Sequence, residues 1–107
     1  MTVEFKRLAA SAPASTTEAE LYAPASGEEI IANLVITNIT GILATFRVAH
    51  TDASGAAAAE DWLAYDENLA ANARITIPIA AKNPETIRIR TGTADALTFH
   101  LSGMKKT

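Results

Sequence analysis

The chain has 107 residues, no cysteine, and a formal net charge of -3 from nine basic and twelve acidic side chains. That length suits one domain with a single core, and the lack of cysteine excludes a disulfide framework, thiolate metal sites and cysteine nucleophiles. An acidic balance disfavours electrostatic binding to nucleic acid or to an anionic membrane surface, and no apolar run approaches the roughly 20 residues that span a bilayer as a helix.

Met1 to Arg7 lack the basic-then-apolar order of a signal peptide, which implies synthesis and folding in a cytoplasm. Val3, Phe5 and Leu8, with Glu4 and Lys6 between them, predict a short first strand. Residues 9–17 end in Ser-Ala-Pro-Ala-Ser-Thr-Thr, a small, polar, proline-broken stretch expected as a flexible arm or loop. Glu18 to Ala23 fits either a helical turn or a strand, with strand favoured, before Pro24, Ser26 and Gly27 make a turn.

Ile30 to His50 holds two β-rich runs joined by a short connection containing Gly41, the pattern of a hairpin. The first run is apolar on both faces: Ile30, Leu34 and Ile36 on one, Ile31 and Val35 on the other. Such a strand sits centrally, or has its second face covered by another chain. In the second run Ala44, Phe46, Val48 and His50 alternate with Thr45, Arg47, Ala49 and Thr51.

Residues 56–69 are ambiguous. Four alanines followed by Glu60 and Asp61, with Trp62, Tyr65 and Leu69 at helical spacing, favour a helix on local propensity. Trp62-Leu63-Ala64-Tyr65 between turn-forming flanks equally suits a loop and a strand, and the β character of the remaining chain tips the balance that way. From Ala73 onward the alternation is regular: Ile75, Ile77 and Ile79, then Ile87 and Ile89 between arginines, then Leu97, Phe99 and Leu101. Pro78 marks an edge strand, a bulge or a strand end, and Met104 to Thr107 carry no pattern. About seven to eight short antiparallel strands predict an all-β single β-sandwich, jelly-roll or Ig-like.

Candidate chemistry is sparse. His50 follows Val48 on the core-side face and is read as a packed histidine; with Asp52 it lacks a third metal ligand. His100 lies on a polar face with Thr98 and Ser102. Asp61, Asp66 and Glu67 occupy loop-like sequence without a paired geometry, and Asn38-Ile39-Thr40, which fits the glycosylation pattern, is read as a turn. No catalytic residue, metal site or cofactor is expected. Arg47, Arg74, Arg88 and Arg90 are candidates for a basic stripe on one sheet face, which with Ile31 and Val35 would form an interface.

The order and spacing of several segments carry a likeness. Leu8 to Thr17, Glu20-Leu21-Tyr22-Ala23-Pro24-Ala25-Ser26-Gly27, Leu34-Val35-Ile36-Thr37-Asn38, Ala44-Thr45-Phe46-Arg47-Val48-Ala49, Leu63-Ala64-Tyr65-Asp66, Ile87-Arg88-Ile89 and Leu97 to Gly103 follow one another. This succession resembles a group of small tailed-bacteriophage structural proteins, with Ser26 as a one-residue insertion and more alanine over Thr51 to Asp61. The resemblance implies a non-enzymatic β-sandwich of the virion, made in the host cytoplasm. Its role would be a capsid decoration (cement) protein that binds the major capsid protein or other virion proteins, or else a tail, neck or spike-base component. A homo-oligomer, for example a trimer, would be expected, with no nucleic-acid or membrane partner. A rival of another class is a small carbohydrate-binding module with Tyr22, Trp62 and Tyr65 as its aromatic platform.

Overall fold

In a computed structural model, which describes residues 2–107, the period-two stretches form eight strands. They are β1 (Val3–Ser11), β2 (Ala19–Tyr22), β3 (Glu29–Asn38), β4 (Ala44–Thr51), β5 (Trp62–Leu69), β6 (Arg74–Lys82), β7 (Thr86–Thr91) and β8 (Leu97–Lys106). A single 3-10 turn at Ala59–Asp61 precedes β5. The strands build two four-stranded sheets, ordered β1-β8-β3-β6 and β2-β7-β4-β5, with every pairing antiparallel. Each connection except β4 to β5 crosses from one sheet to the other. That interleaving is the jelly-roll arrangement of a β-sandwich, the first of the two orders expected.

The core follows from one face of each strand. Ile30, Ala32, Leu34 and Ile36 of β3 and Leu97, Phe99 and Leu101 of β8 point inward from the first sheet. They meet Phe46 and Val48 of β4 and Ile87 and Ile89 of β7 from the second, and all are buried. Interdigitating inner faces of this kind supply most of the stabilisation in a sandwich. At Gly103 the packing leaves no room for a side chain. A Cβ there would lie 2.5 Å from the Ile31 carbonyl oxygen and 2.6 Å from Ala32 Cα, on a backbone with φ of +157°.

Three expectations change. The two runs of Ile30 to His50 are not a hairpin: β3 pairs with β6 and β8, while β4 pairs with β5 and β7 in the other sheet. Their apolar faces meet across the core, so the connection between them bridges the layers. The stretch over 9–17 is not a free arm from its start, because Ala9, Ala10 and Ser11 pair with β8. Its remainder links the sheets and is tied down where Asp95 N donates to Pro13 O (3.0 Å) and Arg90 Nε to Thr16 O (2.6 Å). Met104 to Lys106, patternless in sequence, complete β8 between β1 and β3. Residues 62–69 are strand, the reading favoured from the sequence, since pairing with β4 outweighs the helix propensity of the alanines. Pro78 lies on β6, an edge strand of the first sheet, the kind of position in which a sheet tolerates proline.

Because Gly103 touches backbone on its neighbour strand, Gly103→Ala is expected to lower the unfolding free energy by about 1–3 kcal/mol. Gly41→Ala, which meets open space, is expected to change it by less than about 0.5 kcal/mol in the same urea titration.

Candidate functional site

The residues singled out in the sequence divide between two opposite surfaces. On the outer face of the second sheet, β5 carries an extra residue opposite Arg47. Phe46 pairs with Glu67 and Val48 with Ala64, so Tyr65 and Asp66 together oppose Arg47, and Asp66 takes a positive φ of +49°. This bulge wraps the guanidinium. Arg47 Nε donates to Asp66 Oδ1 (2.6 Å) and a terminal nitrogen donates to Oδ2 (3.0 Å), a bidentate pair. The Arg47 Cζ also lies 3.9 Å from the Tyr65 ring centroid and 5.7 Å from that of Trp62. The two rings meet edge to face at 5.2 Å.

Neighbouring charges on that face are likewise engaged. Arg88 Nε donates to Glu18, which also accepts from the Ala57 backbone N–H (3.1 Å). Burial pushes the Glu18 carboxyl up, but the Arg88 hydrogen bond, the Ala57 N–H and the nearby arginine charges outweigh it and leave it below the usual carboxylate range. The Arg47 hydrogen bond holds Asp66 low in the same way. Arg90 is spent on the Thr16 carbonyl. Arg74 is not part of this group: it pairs with Thr37 on the other sheet. The four arginines therefore do not form one stripe, and three of them hold the protein's own loops and strands.

The aromatic platform is not assembled either. Tyr22 lies on β2, separated from β5 by β7 and β4, and packs against the core. Its hydroxyl donates to Glu28 Oε1 (3.0 Å), and burial followed by the Glu28 contact pushes its pKa up to about 12. With Trp62 edge-on to Tyr65 and Arg47 over the Tyr65 face, no flat three-ring surface is left for a sugar.

The outer face of the first sheet has a different character. Register places Phe5 beside Met104, Met104 beside Ile31, and Ile31 beside Ala80, an apolar row across all four strands. Phe5 is 81% exposed and Ile31 62%. Around Ile31, Ala80 and Met104 the surface sinks into an open depression of about 430 Å³, with Glu29 and Lys106 at its lip, paired at 2.7 Å. Val35 sits on the same face, half-buried between His100 and Thr76. Of the interface set, Ile31, Val35 and Arg74 share this face, and Phe5, Met104 and Ala80 join them. Their grouping rests on cross-strand register, which strand periodicity does not disclose.

At one end of the sandwich the β3–β4 connection presents Ile39, Ile42 and Leu43, each more than half exposed. It is stiffened from below by Asn38, whose side chain is fully buried. The Asn38 amide donates to Ile42 O (2.8 Å) and Leu69 O (3.1 Å), while its carbonyl accepts from Thr40 N (2.9 Å) and the Thr40 hydroxyl (2.7 Å). The Asn-Ile-Thr triplet is thus a turn, as expected. Near the other end, His50 Nε2 lies 2.8 Å from Glu85 Oε1, which also accepts from Lys82 N (3.1 Å). His50 is a packed, hydrogen-bonded histidine, and His100 is exposed.

No family model matches the chain, and no curated protein matches it. A solved structure described as that of Bacillus endospore appendages, a family of disulfide-linked pili, has the same fold. It is 20% identical, with a TM-score of 0.57 over 97% of this chain and 86% of that one. The expectation of a virion protein bound to a major capsid protein is corrected by this finding. Segment order and spacing like those of the phage proteins occur in a chain that shares its fold with an appendage protein, so they point to the fold and not to a place in a capsid or tail. The 107 residues hold no cysteine, so they cannot make the disulfide link named for those pili. No described helix is long and apolar enough to cross a membrane.

The Glu85 contacts have a pH consequence. The His50 hydrogen bond, then the Lys82 N–H, hold its carboxyl below the ordinary value of 4.5. Its ionised form therefore stabilises the fold above that value, and the contribution is lost as pH falls through the lowered one. Thermal melts from about pH 5 to about pH 3 are expected to fall less steeply for Glu85→Gln than for the unaltered chain.

Proposed function

We propose that this chain is a non-enzymatic structural subunit that associates with copies of itself through the outer face of its first sheet. The carrying observation is the exposed apolar row of Phe5, Met104, Ile31 and Ala80. A sandwich needs one apolar face per sheet for its core; a second apolar band facing solvent is the mark of a surface meant to be covered. The opposite sheet supports this choice of face, since Arg47 and Arg88 are already neutralised by Asp66 and Glu18, and Arg90 is hydrogen-bonded to the Thr16 carbonyl. The carboxylates that the fold orients, Glu18, Asp66 and Glu85, are each committed to an arginine or histidine partner, which favours a scaffold over acid–base chemistry. A shared fold with an appendage protein is compatible with an assembling subunit.

Sedimentation velocity over a wide concentration range is expected to show the mean mass rising with concentration. Ile31→Lys is expected to weaken association at least about tenfold, the effect of about 1.4 kcal/mol, while Leu63→Lys on β5 leaves it unchanged. A chain that stays monomeric throughout, or one for which only Leu63→Lys matters, contradicts the proposal.

A further inference from the structure

The self-association read above leaves open which surface of the second copy covers the depression at Ile31. We infer that its occupant is the Ile39/Ile42/Leu43 tip of the next copy, giving a head-to-tail contact. Both parts belong to one strand: Ile31 lies near the start of β3 and Ile39 just past its end. At roughly 3.3 Å per residue they are about 26 Å apart, along a body whose longest dimension is 44 Å. One copy's tip cannot reach its own depression, so the match is satisfied between copies.

The two surfaces suit each other in charge and form. Residues 39–44 carry no ionisable group. The depression is floored by Ile31, Ala80 and Met104, and at its lip Glu29 and Lys106 pair with each other. Glu85, also in its lining, is held by His50, and the exposed Lys82 stands at the margin with its ammonium open to solvent, so an uncharged tip can dock without burying an unpaired charge. The tip is also preorganised. Asn38 holds it by three hydrogen bonds and is itself anchored to Leu69 O by a fourth, so little chain entropy is lost on binding.

Area decides how such a contact behaves. Three side chains more than half exposed present on the order of 300 Å² of apolar surface, the size at which a patch on a monomer marks an interaction site. Matched by a similar area in the depression, the contact stays below the roughly 1,000 Å² of a stable two-body interface. An isolated pair is thus weak. Each docked copy still offers a free tip and a free depression, however, so at high concentration the contact repeats, and a heterologous contact that does not close grows into a filament.

The test uses complementary variants: a tip variant, Ile42→Ser with Leu43→Ser, and a depression variant, Ile31→Lys. All changed side chains are exposed, and thermal melts check folding. Ile39→Lys repeats the tip test at a second position. In light scattering without a column, over rising protein concentration, the unaltered chain is expected to form species larger than dimers, and each variant alone to stay monomeric. An equimolar mixture of the two variants is expected to stop at one-to-one dimers, because it holds one intact tip and one intact depression per pair. If both tip variants associate like the unaltered chain while Ile31→Lys does not, the head-to-tail contact is overturned and self-association through the sheet face survives. If the unaltered chain never associates, both fall together.

Discussion

Cross-strand register on the two sides of β3 governs both the stability of this sandwich and what its surface displays. β3 is hydrogen-bonded along its whole length to β8 and to β6. Its inward residues are buried at the centre of the core. Because side chains alternate, the same register that seats Leu34 and Ile36 inside sets Ile31 outside, between Met104 and Ala80. A one-residue slip would exchange the two sets. Gly103 guards against it, since the close approach of β8 to β3 at Ile31 and Ala32 admits only a residue without a side chain.

The second sheet solves a different problem. Three arginines on one outer face would repel one another and invite an anionic partner, yet each is satisfied at home. The bulge in β5 brings Asp66 and Tyr65 to Arg47, the linker before β2 brings Glu18 to Arg88, and the same linker offers the Thr16 carbonyl to Arg90. Partly exposed pairs of this kind add little to stability one by one. Their effect here is positional: they tie an edge strand and a small, polar linker to the sheet. This leaves the first sheet, with its apolar row, as the face that still lacks a partner.

Much of the fold was legible in the sequence because strand periodicity is local. The alternation at Ile75 to Ile79, Ile87 to Ile89 and Leu97 to Leu101 is enough to predict half-buried strands, and all three are present. What the sequence could not show was who pairs with whom. The Ile30 to His50 stretch has the composition of a hairpin, but each run finds other strand partners, and the two meet face to face across the core from opposite layers. The interface set divides between the two sheets for the same reason: Arg47, Arg74, Arg88 and Arg90 share a residue type, which says nothing about which sheet each strand joins. Phe5 and Met104 each look ordinary within their own segments. Only register makes them neighbours of Ile31.

The central claim is that the outer face of the first sheet is where copies of this chain meet, and side-chain methyl spectra recorded from dilute to concentrated solution test it most directly. The account predicts concentration-dependent shifts at the methyls of Ile31, Ala80 and Met104, with those of Ala49 and Leu63 on the second sheet unmoved. Shifts confined to Ala49 and Leu63, or no shifts at any concentration, would contradict it.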